Sequence, residues 1–442
     1  DLGLLIGTIL NWYIVSARLR KYTIVAGNSL TIPSFFKNRY RDHKNIIKIV
    51  SASIIAVFFT VYTASAFSSG AKLFATLFSD SASGDENYNQ VYVIGLIVAA
   101  VVILVYTFMG GFKAVCTTDL IQGLMMIVAI LTVPVLAYAI LTFDTSFSSA
   151  LAAKGVEQPA QFLNFFVNGD GTPVSAVSII SNLAWGLGYF GMPHILVRFM
   201  AVKSNEEIKK SRKIAVVWVI ISLTASCLIG LIARGYLTAQ LDDATSESVF
   251  IRTIQQLFSG NGVLIFIGGI FLCGILAAIM STADSQLLVT ASAVSEDLYK
   301  GAVKKNASEK SSLLVGKIAV AVVAVIAFFI ALNPKSSIMG LVSDAWAGFG
   351  SAFGPVVLLA LFWKRSTLSG AISGMATGAL TVIIWDYIPL VNGQTLYAAT
   401  NLYSLVVGFG LALIVNVIVS LLSKKPSKEI MDEFDSIKNI EV

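Results

Sequence analysis

Charge is what this sequence lacks most. Only 13% of its residues are Asp, Glu, Lys or Arg, about half the share of an ordinary soluble domain. That scarcity excludes a large soluble core wrapped in a charged shell. Histidine is scarcer still, with only His43 and His194, so histidine-based metal clusters are not available. The three cysteines, Cys116, Cys227 and Cys273, match no disulfide framework and no metal spacing. They lie in or beside apolar segments, and buried structural thiols are the expectation. The sequence holds no nucleophile elbow, phosphate-binding glycine loop or paired-carboxylate motif, which argues against an enzyme and leaves no site for ATP.

Apolar residues are what the chain has instead. They make up 56% of its 442 residues, and the mean hydropathy is +0.81. They come in runs of about 20, the length that crosses about 30 Å of hydrocarbon. The apolar-polar alternation of a membrane barrel is absent, so the spans are predicted to be helices. Eleven are expected, at 2–17, 48–77, 91–111, 119–142, 174–200, 214–237, 262–296, 313–332, 337–363, 368–388 and 396–422. The loops alternate in charge. Arg18, Arg20, Lys21, Lys37, Arg39, Arg41, Lys44 and Lys48 fill one. Lys203, Lys209, Lys210, Arg212 and Lys213 fill a second, and Lys300, Lys304, Lys305 and Lys310 a third. The loops Ser79–Gln90 and Leu241–Ser248 on the other side are acidic or neutral. About 26 of the 31 Lys and Arg fall on one side, which the positive-inside rule assigns to the cytoplasm. Asp1 is then outside, and the charged tail 423–442, mobile or loosely helical, is inside. The core is 1–422. Asp1 replaces Met directly before an apolar run, so an N-terminal part of the native protein is expected to be missing. The short tail argues against a sensor with an attached cytoplasmic module.

The fifth span reads Trp185-Gly186-Leu187-Gly188-Tyr189-Phe190-Gly191-Met192-Pro193-His194. Three glycines and a proline in so short a stretch make a continuous helix unfavourable. A break at membrane depth survives where protein or a water-filled cavity satisfies the freed groups. It exposes N–H groups that suit a carboxylate and C=O groups that suit an ammonium or cation. Trp185 and Tyr189, four residues apart, could line one wall. A kinked helix packing closely through its glycines is the alternative.

In the seventh span, Ser281 and Thr282 with the Ala278 carbonyl place three oxygens on about one turn, a set suited to a hard monovalent cation. Interhelical hydrogen bonding or back-bonding to the preceding turn is the competing explanation. Asp284 needs a proton, a cation or a basic partner at that depth. Asp119, after Thr117 and Thr118, either caps the fourth span or contributes to a second cation site. Asp344 carries no assigned role.

At these residues the chain becomes recognisable. Trp185–Met200 (WGLGYFGMPHILVRFM), Met280-Ser281-Thr282, Ser295-Glu296-Asp297-Leu298-Tyr299-Lys300 and Ala345-Trp346-Ala347-Gly348-Phe349-Gly350 resemble the sodium/solute symporter family. The likeness extends to Arg18-Leu19-Arg20, Tyr62-Thr63-Ala64-Ser65 and Phe108–Gly111. It implies an inverted-repeat, leucine-transporter fold of thirteen helices, of which this chain lacks the first two, including the other broken helix. It implies Na⁺-coupled uptake of L-proline by alternating access across a bacterial cytoplasmic membrane. A same-fold carrier of another amino acid, a carboxylate or a sugar, or a proton-coupled carrier, is the alternative. By resemblance, Ala278, Ser281 and Thr282 hold Na⁺, while Tyr62, Trp185, Tyr189 and Pro193 enclose or gate the solute. Asp119 falls at a carboxylate linked with sodium handling, and Asp119 and Asp284 are the candidates for a cation path. The chain departs from the pattern at Met192, where proline carriers usually have Gln, and at Asp344, which replaces a neutral residue.

Overall fold

A computed structural model describes residues 1–79, 85–109, 111–168, 171–243, 245–304 and 306–437. Gly110 of the 108–111 motif, Lys305, parts of the loops at 79–90 and 241–248, and the tail beyond residue 437 lie outside the described residues.

In hydrocarbon a backbone must bond within its own segment, and the apolar runs do so as a succession of helices. These are α1 (Leu2–Val25), α2 (Ile32–Arg39), α3 (Ile46–Phe78), α4 (Glu86–Met109), α5 (Phe112–Leu141), α6 (Phe147–Ala153), α7 (Ala176–Ala184) and α8 (Pro193–Ala201). They continue as α9 (Asn205–Tyr236), α10 (Val249–Leu257), α11 (Gly262–Gly301), α12 (Glu309–Ala331), α13 (Ile338–Phe362), α14 (Leu368–Tyr387), α15 (Leu396–Thr400), α16 (Ser404–Leu422) and α17 (Lys428–Ser436). Among the described residues ten helices are long and apolar enough to cross a membrane. The eleventh expected span, 174–200, is the one in pieces: α7, a tight 3₁₀ segment Trp185–Phe190, then α8. A small hairpin, β1 (Pro389–Val391) and β2 (Gln394–Thr395), follows α14. Its turn residues Asn392 and Gly393 sit at φ 48° and 77°, the positive angles that a tight antiparallel turn needs.

The centre of the bundle is α13, whose residues from Ala345 to Val357 are all buried. It packs against α3, α14, α16 and the 3₁₀ segment. Small residues make these approaches possible. On α14, Gly370, Gly374 and Gly378 recur every fourth position. A Cβ on Gly370 would lie 2.0 Å from the Ser420 hydroxyl, and one on Gly378 would lie 2.2 Å from the Ser351 carbonyl. Lipid gives helices little hydrophobic reason to associate, so close backbone contact through small residues supplies the cohesion.

Four expectations change. The helix α5 begins at Phe112, with Gly111 in extended conformation as its N-cap. Asp119 therefore lies two turns inside the helix and does not cap it. The first span runs on to Val25, so Arg18, Arg20 and Lys21 are helical; the arms of the two arginines reach the carbonyls of Leu361 and Met200. Cys116, Cys227 and Cys273 are exposed rather than buried. They sit on outward faces of spanning helices, where a thiol is apolar enough for hydrocarbon. The described part of the tail takes the helical of its two expected forms, as α17, but is packed rather than loose, with Phe434 and Ile437 buried in the main core.

Candidate functional site

The break in the fifth span follows from its composition. Gly186 and Gly188 are buried in the 3₁₀ turn, Met192 is extended at ψ 108°, and Pro193 opens α8 at the first position, where its missing N–H costs nothing. Close glycine packing and the break coexist here. A Cβ on Gly7 of α1 would lie 2.2 Å from the Gly186 carbonyl, and one on Gly188 would lie 1.9 Å from the Trp346 indole nitrogen. Side chains from elsewhere satisfy the freed carbonyls. Trp346 Nε1 donates to the Trp185 carbonyl at 2.7 Å, and Asn11 Nδ2 donates to that of Tyr189 at 3.1 Å.

Winding decides where the aromatic residues point. A 3₁₀ helix has 3.0 residues per turn, so residues four apart are about 120° apart rather than on one face. Trp185 and Tyr189 accordingly do not form one wall; they flank Trp346, at ring distances of 6.2 and 5.0 Å. Tyr403 stacks on the outer side of Trp185 at 5.2 Å. Trp185, Asp344 and Tyr403 line a cavity of about 650 Å³ at the acidic end, and Tyr387 donates to the Asp344 carboxylate. Pro193 lines a different cavity of about 360 Å³ at the basic end, with Val197 and Leu288. Tyr62, on α3, lines neither of these two; its ring lies 6.4 Å from His194. Met192 is fully buried in the core and faces neither cavity. Of the four expected solute residues, Trp185 and Tyr189 share Trp346 as a neighbour, Tyr62 packs on the same core cluster as both, and Pro193 lines the basic-end cavity.

On α11 the Ser281 and Thr282 hydroxyls both donate to the Ala278 carbonyl, at 3.1 and 2.9 Å. This is the back-bonding alternative in geometric form, and it also gathers three oxygens on one turn. Each hydroxyl keeps its lone pairs while its hydrogen is engaged. One turn further, Asp284 is 1% exposed, and neither carboxylate oxygen has a hydrogen-bond partner, with Thr107 beside it. Asp119 comes to the same place from α5. Arg198 Nη2 donates to Asp119 at 2.6 Å and to Ser285 Oγ at 2.9 Å, while Ser285 donates to Asp119 at 3.4 Å. Arg198 is thus paired with Asp119, while Asp284 lies near that carboxylate without an ion-pair partner of its own among the described residues. Arg198, on α8, ties the lower half of the broken helix to this cluster. Its signal in the sequence was a lone arginine among apolar residues, which needs a partner at that depth.

Among the described residues one ion pair fastens the acidic end, alongside neutral ties such as Tyr403 to the Ser343 carbonyl. Glu247 accepts from Lys72 Nζ at 2.6 Å, Ser337 Oγ at 2.9 Å and the Met339 N–H at 3.0 Å. Burial alone would push this carboxyl up, but the bonds from Lys72 and the backbone of α13 outweigh it and hold it below its ordinary range. The basic end has a buried counterpart, Lys48–Asp297 at 3.1 Å, supported by Thr31 and Ser34.

Comparison with known proteins follows the same lines. The sequence is 41% identical over 447 residues to the sodium/proline symporter of Staphylococcus aureus, covering 99% of this chain and 82% of that one. The protein of that name from S. aureus strain Newman matches at the same identity, over 99% and 81%. A solved structure of a Na⁺-coupled sialic acid symporter, substrate-bound and outward-open, superposes with a TM-score of 0.65 at 17% identity, covering 96% of this chain and 91% of that one. That likeness shows the fold, an all-helical membrane bundle of the inverted-repeat leucine-transporter type. The model of the sodium:solute symporter family matches residues 1–378. With that match and a 41% identical relative along nearly its whole length, the chain belongs to the sodium:solute symporter family.

Proposed function

We propose that the protein takes up L-proline together with Na⁺ by alternating access, as a multi-pass protein of a bacterial cytoplasmic membrane with its basic end and C-terminal tail in the cytoplasm. The observation that carries this reading is the interrupted helix, whose 3₁₀ segment presents Trp185 and Tyr189 around Trp346 between two cavities that open toward opposite ends of the bundle. The name of the 41% identical relatives supports the choice of cargo. In this reading Na⁺ is cargo held by the Ala278 carbonyl and the Ser281 and Thr282 hydroxyls. Asp119 and Asp284 provide a further step for a cation, and Trp185, Tyr189, Tyr62 and Pro193 bound the path of the solute.

The energetics suffice without ATP. One charge falling through 100 mV yields about 2.3 kcal/mol, and a tenfold Na⁺ gradient adds about 1.4 kcal/mol. Together these sustain an accumulation of about 500-fold. The test is equilibrium binding of labelled proline to the full chain in Na⁺, K⁺ and choline. Tight binding in Na⁺ alone is expected, and equal binding in all three overturns the reading. A second reading, coupling to a proton, draws on the burial of Asp284 without a basic partner among the described residues. Uptake that persists without Na⁺ and follows the pH gradient would replace the first reading with this one.

A further inference from the structure

The cytoplasmic-tail helix α17 does more than end the chain. Ser427 caps it through the Ile430 N–H. It presents an acidic face and an apolar one, and Phe434 and Ile437 are 6% and 1% exposed. The Phe434 ring enters a cage built by α1 and α2. Tyr22 meets it edge-on at 6.1 Å, and the guanidinium groups of Arg18 and Arg39 lie 5.1 and 5.3 Å from its centre.

Those two arginines hold the end of α13. Arg18 Nε donates to the Leu361 carbonyl, and Arg39 Nε donates to that of Ala360 at 3.1 Å. Arg39 is fully buried, and neither of its terminal nitrogens has a hydrogen-bond partner. A buried guanidinium in that condition is unfavourable. What compensates here is the faces of three rings, Tyr22, Tyr40 and Phe434, all within 5.4 Å of it. Tyr40 follows Arg39 directly in the chain and Tyr22 comes from α1, whereas the third ring arrives only when the tail docks. The acidic face of α17 is fixed by Arg41 to Glu433 and Glu429, and by Lys364 to Asp435 at 3.3 Å. The pairs at Glu429 and Asp435 are exposed and contribute little individually, while the Glu433 side chain is largely covered. Together these pairs orient the helix, and Phe434 anchors it.

We propose that α17 is a releasable clamp on the inner gate: with Phe434 docked, Arg18 and Arg39 lock α1 and α2 onto the end of α13, and when the tail leaves, water reaches both arginines and this end of the bundle opens. Phe434 is thus a positioning residue for transport, acting through the arginines on a helix whose other end holds Trp346 against the broken segment. The inference rests on the alternating-access reading. Its test uses no solute, so the clamp and the identity of the cargo succeed or fail separately.

The experiment uses the full chain in liposomes with Cys116, Cys227 and Cys273 replaced by Ser and a reporter Ser292→Cys, since Ser292 lines the basic-end cavity. Labelling by a membrane-impermeant maleimide is followed from the basic-end side. Phe434→Ala should raise the labelling rate about tenfold. Phe434→Tyr, which keeps a ring face over the guanidiniums, should restore the parental rate, and Phe434→Leu should not. A role confined to folding would lower yield and melting temperature without separating Tyr from Leu. The pair Glu433→Gln with Asp435→Asn loosens the tail without touching the anchor and should raise labelling about threefold. Labelling within twofold of the parent in both Phe434→Ala and the charge variant overturns the clamp. If Phe434→Ala does not fold, the charge variant and the Leu–Tyr contrast decide.

Discussion

A methyl group on Gly188 is the most economical probe of the aromatic arrangement. An ideal Cβ there would lie 1.9 Å from Trp346 Nε1, 2.4 Å from Cδ1 and 2.5 Å from Cε2. Ordinary contact begins near 3.4 Å, so the indole must withdraw by about 1.5 Å. Its bond to the Trp185 carbonyl, now 2.7 Å, would stretch past about 4 Å and cease to be one. Stranding a buried donor and acceptor costs about 1–3 kcal/mol, and forced repacking about 1–3 kcal/mol more. A total of about 2–6 kcal/mol means that any equilibrium requiring the closed arrangement falls by about thirtyfold or more. The assay is Na⁺-dependent binding of labelled proline to purified Gly188→Ala, alone and combined with Trp346→Ala. If the clash is with the indole, the methyl should matter greatly in the parent and hardly at all once the ring is gone, a coupling that a double-mutant cycle isolates. Gly186→Ala serves as control, because its Cβ meets the Gly3 carbonyl at 2.3 Å and removing Trp346 cannot relieve it. Equal losses from Gly188→Ala in both backgrounds, or binding within threefold of the parent, would refute the reasoning.

Other outcomes follow from the same geometry. Thr282→Ala removes one of three gathered oxygens and should raise the Na⁺ concentration for half-maximal uptake at least tenfold with little change in melting temperature; an unchanged Na⁺ dependence removes Thr282 as a ligand. Asp297→Ala strands the largely buried Lys48 ammonium and should cost about 3–5 kcal/mol of stability, read as a lower melting temperature in detergent. Glu247 is held below its ordinary 4.5, so the stability that it contributes is present above that value and is lost as pH falls through the lower folded value. Acidification below about pH 4.5 should loosen the acidic end, seen as faster exchange of the amides around Met339, and Glu247→Gln should abolish that acid limb.

Run length and composition made the bundle legible, because the hydrocarbon constraint acts on each segment separately. The break was legible for the same local reason, with Gly186, Gly188, Gly191 and Pro193 crowded together. Its winding was not. Whether Trp185 and Tyr189 share a face depends on the number of residues per turn, and the neighbour that separates them, Trp346, lies 161 residues from Trp185. The oxygens of Ala278, Ser281 and Thr282 could be placed on one turn from their spacing, whereas the Arg198 tie that brings Asp119 to Ser285 needed three helices at once. The tail misled for a different reason. Its charge suggested solvation, yet that charge is the acidic face of a helix whose other side is buried through Phe434, with Ile437 just beyond it.

The basic residues illuminate a link between topology and gating. The positive-inside rule accounts for where Arg18, Arg20, Arg39, Arg41 and Lys48 are kept, but it says nothing of their partners. In the folded chain Arg18, Arg20 and Arg39 donate to helix-end carbonyls of Leu361, Met200 and Ala360, while Arg41 and Lys48 pair with Glu433 and Asp297. The carbonyls at a helix C-terminus lack intrahelical donors and carry partial negative charge, so cations stationed at this face close it by satisfying them. At the opposite end, with few cations, Lys72 pairs with Glu247 and a cavity of about 650 Å³ opens, while the basic end carries cavities of about 360 and 610 Å³. The cations that bias the charge of the basic face therefore also tie its helix ends together.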